Sequence, residues 1–114
     1  MRYILAVLVL CIAIPAFAGT AVLTWVDNSN NESNFDIERK ASLCPGAAAW
    51  SALGTVGANV VTYRDATVTE GSAFCYRVKA RNAAGSSAWS NEVGLTIPLA
   101  VPAAPSQVGV TYEP

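Results

Sequence analysis

The sequence predicts an all-β fold, a sandwich of two antiparallel sheets, and three observations support this prediction. After residue 18, short apolar segments alternate with polar residues, which is the period-two pattern of strands. Turn-forming segments rich in Asn, Ser, Gly and Asp separate these strands at near-regular spacing. No segment of this part has the apolar periodicity of a long helix. Short strands of this number and spacing are typical of a sandwich.

The pattern predicts six strands, at residues 21–25, 35–39, 50–53, 60–63, 74–81 and 89–97. Alternation is clearest in the strand 74–81. Its expected inward-facing residues are Phe74, Tyr76, Val78 and Ala80, and its expected outward-facing residues are Cys75, Arg77, Lys79 and Arg81. This strand should therefore cross the centre of the domain, with one face in the core and a basic face outside.

Residues 1–18 have the features of a secretory signal peptide. Arg2 precedes an unbroken apolar run, and Ala16-Phe17-Ala18 forms an A-x-A cleavage signature. The run from residue 3 to residue 14 is shorter than the ~20 residues that a membrane span needs, which favours cleavage over an uncleaved anchor. Lipid attachment at Cys11 is a third alternative, but Leu10 occupies the position where a small residue is expected.

Charge and composition argue against several classes of function. The 114 residues contain 7 basic and 8 acidic side chains and no histidine. A net charge of −1 gives no basic patch for nucleic acid, and after cleavage no membrane contact is expected. Without histidine, Ser86, Ser87 and Ser90 have no general-base partner. We therefore expect a non-enzyme without cofactor or metal.

Cleavage would remove Cys11 and leave Cys44 and Cys75 as an even pair in a chain delivered to an oxidising compartment. A disulfide is the leading interpretation, and two free buried thiols are the alternative. Two cysteines without histidine and without a CxxC spacing do not make a zinc site.

Three segments resemble the fibronectin type III domain, in the version common in secreted bacterial proteins. They are LTWVDNSNNESNFDIERK, W-x-x-L-G-T-V-G-A-N-V-V-T-Y-R-D and YRVKARNAAGSSAWSNEV, in the family's order and spacing. The resemblance implies an immunoglobulin-like sandwich over residues 19–98, containing strands B to G, with Trp25 as the core tryptophan of strand B. Phe74 stands where the family usually has a tyrosine that makes a corner hydrogen bond.

The resemblance also implies that strands C and F are antiparallel neighbours, which places Cys44 and Cys75 at the same end of the sandwich. Their disulfide would pin the long C–C′ connection to the sheet. A loop of about thirty residues predicts roughly 3–4 kcal/mol of stabilisation by the chain-entropy account. The same register sets Asp36 and Glu38 near Lys79 and Arg77.

The resemblance implies function by binding, because loops of this fold present ligand contacts. The B–C and F–G loops contain the candidate contact residues, namely Asn28, Asn30, Asn31, Asn34, Asn82, Ser86 and Ser87. The expected partner is an extracellular protein or polysaccharide. The expected location is secreted, extracellular or at the cell surface, with the periplasm as a further possibility.

Three other features each allow two interpretations. Residues 85–90 resemble a degenerate Trp-Ser box of cytokine-receptor domains, so Arg77, Arg81 and Trp89 form either a ligand-binding stripe or a stabilising cation–π stack, which is favoured. Trp50 either stacks on a sugar or, as is more common in the family, packs over the sheet edge. The segment 27–32 is either a calcium loop or an Asx-turn loop, and it lacks the glycine and spaced acids of an EF-hand.

The tail, residues 99–114, is predicted to be a linker followed by a segment, 102–112, that resembles strand A of the family. That strand normally opens the domain, and here it follows the last one. Three interpretations remain open: the tail folds back onto its own domain, it completes the next molecule, or it is a linker. The second gives an alternative function, a structural subunit that assembles head-to-tail by donating its C-terminal strand.

Overall fold

A computed structural model describes residues 19–114, and the chain in this part forms seven strands. They are β1 (Ala21–Thr24), β2 (Asn34–Lys40), β3 (Ser51–Gly57), β4 (Thr62–Asp65), β5 (Ala73–Asn82), β6 (Gly85–Ser86) and β7 (Val93–Thr96). The predicted signal peptide, residues 1–18, lies outside the described residues. Within residues 19–114 there is no helix long and apolar enough to cross a bilayer.

The strands form two antiparallel sheets, as the sequence predicts. The narrow sheet consists of β1 and β4. The wide sheet has the order β3–β2–β5–β6, and β7 pairs with β5 on the same side as β6. The register of β2 on β5 sets Asp36 opposite Lys79 and Glu38 opposite Arg77, as expected.

The last predicted strand, 89–97, is correct only from Val93 to Thr96, because residues 87–92 form no strand and bind the edge of β5 only through Ser87 and Ser90. The Ser87 and Ser90 hydroxyls accept the N–H groups of Ala80 and Val78, each at 2.9 Å. The Ser87 and Ser90 backbone N–H groups donate to the carbonyls of the same two residues, each at 2.8 Å. Serine side chains thus take acceptor positions that a strand's carbonyls would otherwise fill.

The core lies between the sheets and divides into two clusters. One contains Phe35, Ile37 and Val78, with Trp25 packed against it and its ring 5.5 Å from that of Phe35. The other cluster consists of Ala21, Val68, Phe74, Tyr76 and Ile97. Phe74, Tyr76 and Val78 face inward as alternation predicts, because every second side chain of a strand points to the same face.

Asp65 is a buried polar link between the sheets that the sequence did not reveal. Its carboxylate, on β4, accepts hydrogen bonds of 2.8 Å from Arg39 of β2 and 2.8 Å from the Tyr76 hydroxyl of β5. Thr67 donates to it from its backbone at 3.0 Å and its hydroxyl at 2.6 Å. Burial alone raises the pKa of this carboxyl, but these hydrogen bonds outweigh burial and hold the pKa below its ordinary range.

Cys44 and Cys75 form the predicted disulfide, with Cα atoms 5.5 Å apart. It ties the β2–β3 connection to the start of β5, and Cys75 is fully buried although it lies on the outer face of the strand. Glu92 lies beside the two sulfur atoms. These three residues do not form a metal-binding set, because sulfurs joined in a disulfide are not thiolates.

Residues 97–114 contain no strand, and the side chains from Pro98 onward are exposed. The strand-A-like segment, 102–112, makes no ladder with its own domain, so the fold-back alternative is not what the structure shows.

Candidate binding site at the loop end of the sandwich

The β1–β2 connection and the β5–β6 turn meet at one end of the sandwich, the loop end. Ser33 N–H donates to the Arg81 carbonyl at 2.8 Å, and the Asn82 side-chain amide donates to the Asn31 carbonyl at 3.1 Å. Between them lies an open cleft of about 300 Å³. It is lined by Ser29, Asn31, Glu32, Ala80, Arg81, Asn82, Ala84, Gly85, Ser86 and Ser87. The loops that the sequence singled out therefore form one continuous surface.

Glu32 fixes the shape of this surface from beneath. Its buried carboxylate accepts a hydrogen bond of 2.6 Å from the Ser29 hydroxyl and one of 3.2 Å from Asn59 N–H. The Ser29 hydrogen bond is the main reason that the pKa of Glu32 is lowered to about 2. Asp27 in turn accepts from Ser29 N–H at 3.0 Å, which is an Asx turn. Both carboxylates thus satisfy protein donors, as the Asx-turn interpretation expects.

The seven predicted contact residues differ in what they can offer a ligand. Asn31 and Ser86 line the cleft with exposed side chains, and Asn28 and Asn30 are exposed nearby. Asn82 and Ser87 also line the cleft, but their side chains already make hydrogen bonds within the domain. The Asn82 side-chain oxygen accepts from Ala84 N–H at 2.8 Å, and the Ser87 hydroxyl accepts from Ala80 N–H at 2.9 Å. Asn34 opens β2 and is absent from the cleft wall.

Six residues of the cleft wall were missing from the predicted contact set, and three of them have polar side chains, namely Ser29, Glu32 and Arg81. The sequence contained a usable signal for Ser29 and Glu32, because both belong to the polar segment 27–34. Arg81 was assigned to a different feature, since strand alternation alone does not show how close a residue lies to the loops.

A ladder of cations and tryptophans covers the outer face of the wide sheet. The Arg77 guanidinium carbon lies 4.1 Å from the ring centroids of both Trp50 and Trp89. Lys40 lies 4.7 Å from the Trp50 centroid, and Lys79 lies 4.5 Å from that of Trp89. Each ring is therefore already in contact with two cations, which fits the stabilising interpretation of this stripe and leaves little aromatic surface at Trp50 for a sugar.

Arg81, which was predicted to belong to this stripe, lies outside the ladder. Its Nε donates to Asp36 at 2.8 Å instead. The reason is the attachment of Ser90 to β5. Ser90 N–H donates to the Val78 carbonyl, so the neighbouring Trp89 lies beside Arg77 and Lys79. Lys79 therefore makes the contact with the Trp89 ring that was expected for Arg81.

No protein-family profile and no curated protein matches this sequence. Solved structures do match. The fourth FNIII domain of a human protein is similar with a TM-score of 0.61 and 14% identity, over 93% of this chain and 96% of that one. The twitchin kinase region from C. elegans gives a TM-score of 0.59 and 19% identity over 71% of this chain.

This chain spans only 14% of the length of that twitchin region. A structure described as a myokine is similar with a TM-score of 0.54 and 19% identity, over 72% of this chain and 85% of that one. At these identities the similarity shows the fold alone. The chain therefore has a fibronectin type III-like fold.

Proposed function

We propose that this chain is a secreted, non-catalytic module that binds an extracellular protein through its loop end. The observation that supports this most directly is the cleft between the β1–β2 and β5–β6 connections, where exposed amide and hydroxyl groups stand on loops anchored by Glu32. Loops held by a rigid scaffold are the usual position for recognition residues. The disulfide is consistent with an oxidising, extracellular environment.

The lining of the cleft favours a protein over a polysaccharide. Among the described residues no aromatic side chain lines it, so it lacks a platform for sugar rings, and the two tryptophans of the outer-face ladder, Trp50 and Trp89, are engaged by cations. Asn and Ser side chains provide adaptable hydrogen bonding to peptide groups, as they do in antibody loops. Arg81 adds a partly exposed cation at the rim, where an acidic residue of the partner can approach.

The test is binding of the labelled, purified protein to the surface of the cells that produce it, compared with a Ser86→Lys variant. Lysine at position 86 adds a long charged side chain to the exposed cleft wall, so we expect binding to fall at least tenfold. Ala47→Lys is the matched control, because Ala47 is exposed in the β2–β3 connection, away from the cleft. The control should bind like the wild-type chain, and circular dichroism should be unchanged in both.

Treatment of the cell surface identifies the class of partner. If the partner is a protein, protease digestion of the surface abolishes binding and periodate oxidation of its sugars does not. The reverse result would identify a polysaccharide partner. Equal binding by the Ser86→Lys and wild-type chains would exclude the cleft.

A further inference from the structure

The inner face of β7 carries apolar side chains that the narrow sheet does not cover. Across the β5–β7 ladder, Leu95 lies opposite Phe74 and Val93 lies opposite Tyr76, so all four point to the core side. Phe74 and Tyr76 are buried, yet Val93 is 47% and Leu95 40% exposed. A groove of about 230 Å³ runs between these two residues and β1. The groove is open because the wide sheet extends beyond the two strands that face it.

The edge of β1 beside this groove is ready to pair with another strand. Trp25 N–H donates to the Val61 carbonyl at 3.1 Å, so the backbone groups of Trp25 face β4. Alternation then directs those of Val22 and Thr24 to the opposite edge. Within residues 19–114 no strand pairs with that edge. An unpaired row of backbone donors and acceptors next to an apolar groove is the arrangement that strand addition requires.

The tail has the side chains that such a groove takes. Val108, Val110 and Tyr112 recur at every second position and would share one face of a strand. They are 86%, 96% and 87% exposed, which leaves three large apolar groups in water. From residue 98 to residue 112 the segment has no charged residue, so pairing would bury no unpaired charge.

The point where the tail leaves the domain determines whether it reaches β1 of its own domain or β1 of a neighbouring molecule more directly. Ile97 belongs to the same core cluster as Ala21, the first residue of β1, and makes backbone hydrogen bonds to Gly71 (2.9 Å) and Ser72 (2.8 Å). All strand pairs described here are antiparallel, and an antiparallel partner of β1 must begin at the other end, near Trp25. The chain's own tail would have to cross the sandwich first, whereas the tail of a neighbour stacked head-to-tail arrives at that end.

The geometry points to strand exchange between copies: the segment 107–112 of one molecule pairs antiparallel with β1 of the next and places Val108, Val110 and Tyr112 in its groove. The contact is head-to-tail and does not close, so repetition builds a filament. The nine residues 98–106 span up to about 30 Å when extended, which leaves space for a ligand at the loop end. This surface is separate from the proposed binding cleft, so either proposal can fail alone.

Sedimentation velocity over a range of concentrations tests this in the protein purified as the cell produces it. We expect oligomers that lengthen with concentration for the wild-type chain and a monomer for Val110→Asp, whose charge would enter the groove. Thr111→Asp is the matched control, since the neighbouring side chain points away from the groove. It should assemble like the wild type.

A mixing experiment distinguishes donor from acceptor. Leu95→Asp should also be monomeric, because it damages the groove and leaves its own tail intact. Mixed with Val110→Asp, which retains an intact groove, it should form one-to-one dimers and nothing longer. Circular dichroism of Leu95→Asp confirms that it is folded, and the Val110→Asp result stands without it because that residue is in the exposed tail.

Three results would overturn the proposal. A wild-type monomer that Val110→Asp makes less stable to heat would show that the tail folds back on its own domain. A wild-type monomer with unchanged stability in that variant would show that the tail is a linker. Oligomers that persist in Val110→Asp would place the self-contact on another surface.

Discussion

The two sheets of this small sandwich are stabilised in different ways. The wide sheet has ion pairs between Asp36 and Arg81 and between Glu38 and Arg77, the cation–tryptophan ladder, and the disulfide at its end. The narrow sheet has only β1 and β4 in the described part of the chain, and Asp65 is a buried polar link from it to the wide sheet. One sheet is reinforced on its outer face, and the other depends on the buried Asp65 carboxylate, a hydrogen bond of 3.3 Å from the Tyr63 hydroxyl to the Leu53 carbonyl, and an apolar interface.

This difference shows that a domain of fixed fold can distribute its stabilising contacts very unevenly. Exposed ion pairs typically contribute tenths of a kcal/mol each, whereas removal of one partner from a buried, hydrogen-bonded charge pair is far more costly. Each ion pair of the wide sheet can therefore contribute less to stability than the buried Asp65 link of the narrow sheet.

The largest expected effect comes from the disulfide. Replacing both Cys44 and Cys75 by alanine frees a loop with a sequence separation of 31 residues. We expect the free energy of unfolding to fall by about 3–4 kcal/mol because the unfolded chain gains conformational freedom. Urea denaturation measures this, and the wild-type chain under reducing conditions should show a similar loss. Unchanged stability in the double variant would contradict it.

The link between the sheets gives the next effect. Asp65→Ala removes the acceptor of Arg39, Thr67 and Tyr76, and we expect a loss of about 3 kcal/mol because the donors lose a buried partner. Asp36→Ala is the matched control in the wide sheet, and its loss should stay below about 1 kcal/mol because its Arg81 partner is partly exposed. Equal losses in the two variants would remove the contrast between the sheets.

Low pH should gradually weaken the hydrogen bonds that Asp65 makes between the two sheets. The pKa of Asp65 is lowered in the folded chain, so its contribution is fully present above its ordinary value of 3.8 and is lost as the pH falls through the lower folded value. As the pH falls below about 4, the free energy of unfolding of Asp65→Asn should therefore decrease less than that of the wild-type chain. Thermal unfolding at a series of pH values measures the difference, and parallel curves for the two proteins would contradict it.

The ladder gives the smallest effect. Trp89→Leu keeps apolar bulk but removes the contacts with Arg77 and Lys79, so we expect a loss of about 1–2 kcal/mol in urea denaturation. In an Arg77→Met background the same change should cost less, because one of the two contacts is already absent. An undiminished cost there would mean that packing, and not the cation, supplies the stabilisation.

Strand positions and inward faces were predictable because they are local. Phe35, Ile37 and the strand 74–81 alternate strictly, and the observed register and burial follow that pattern except at Cys75, which is buried on the outer face. The disulfide was also predicted, with the family resemblance placing its two cysteines at one end. Prediction failed at residues 89–92, since alternation does not reveal that Ser87 and Ser90 hydroxyls would occupy the edge of β5.

The candidate site was predicted in part. The sequence identified both loops, because Asn- and Ser-rich segments between strands are typical of turns. It did not show that Asn82 and Ser87 are already bonded or that Arg81 belongs to the cleft and not to the ladder. These details depend on which side chains meet across strands far apart in the chain.

The sequence by itself determined the fold class, the core-facing residues, the absence of histidine-dependent chemistry and the presence of a strand-like segment after the last strand. These properties depend on residue type and on spacing along the chain. The tertiary structure decided that Asp65 joins the sheets, that Lys79 and not Arg81 completes the ladder, and that the inner face of β7 is left open beside β1. Each of these depends on contacts between distant segments, and their geometry exists only once the two sheets have packed together.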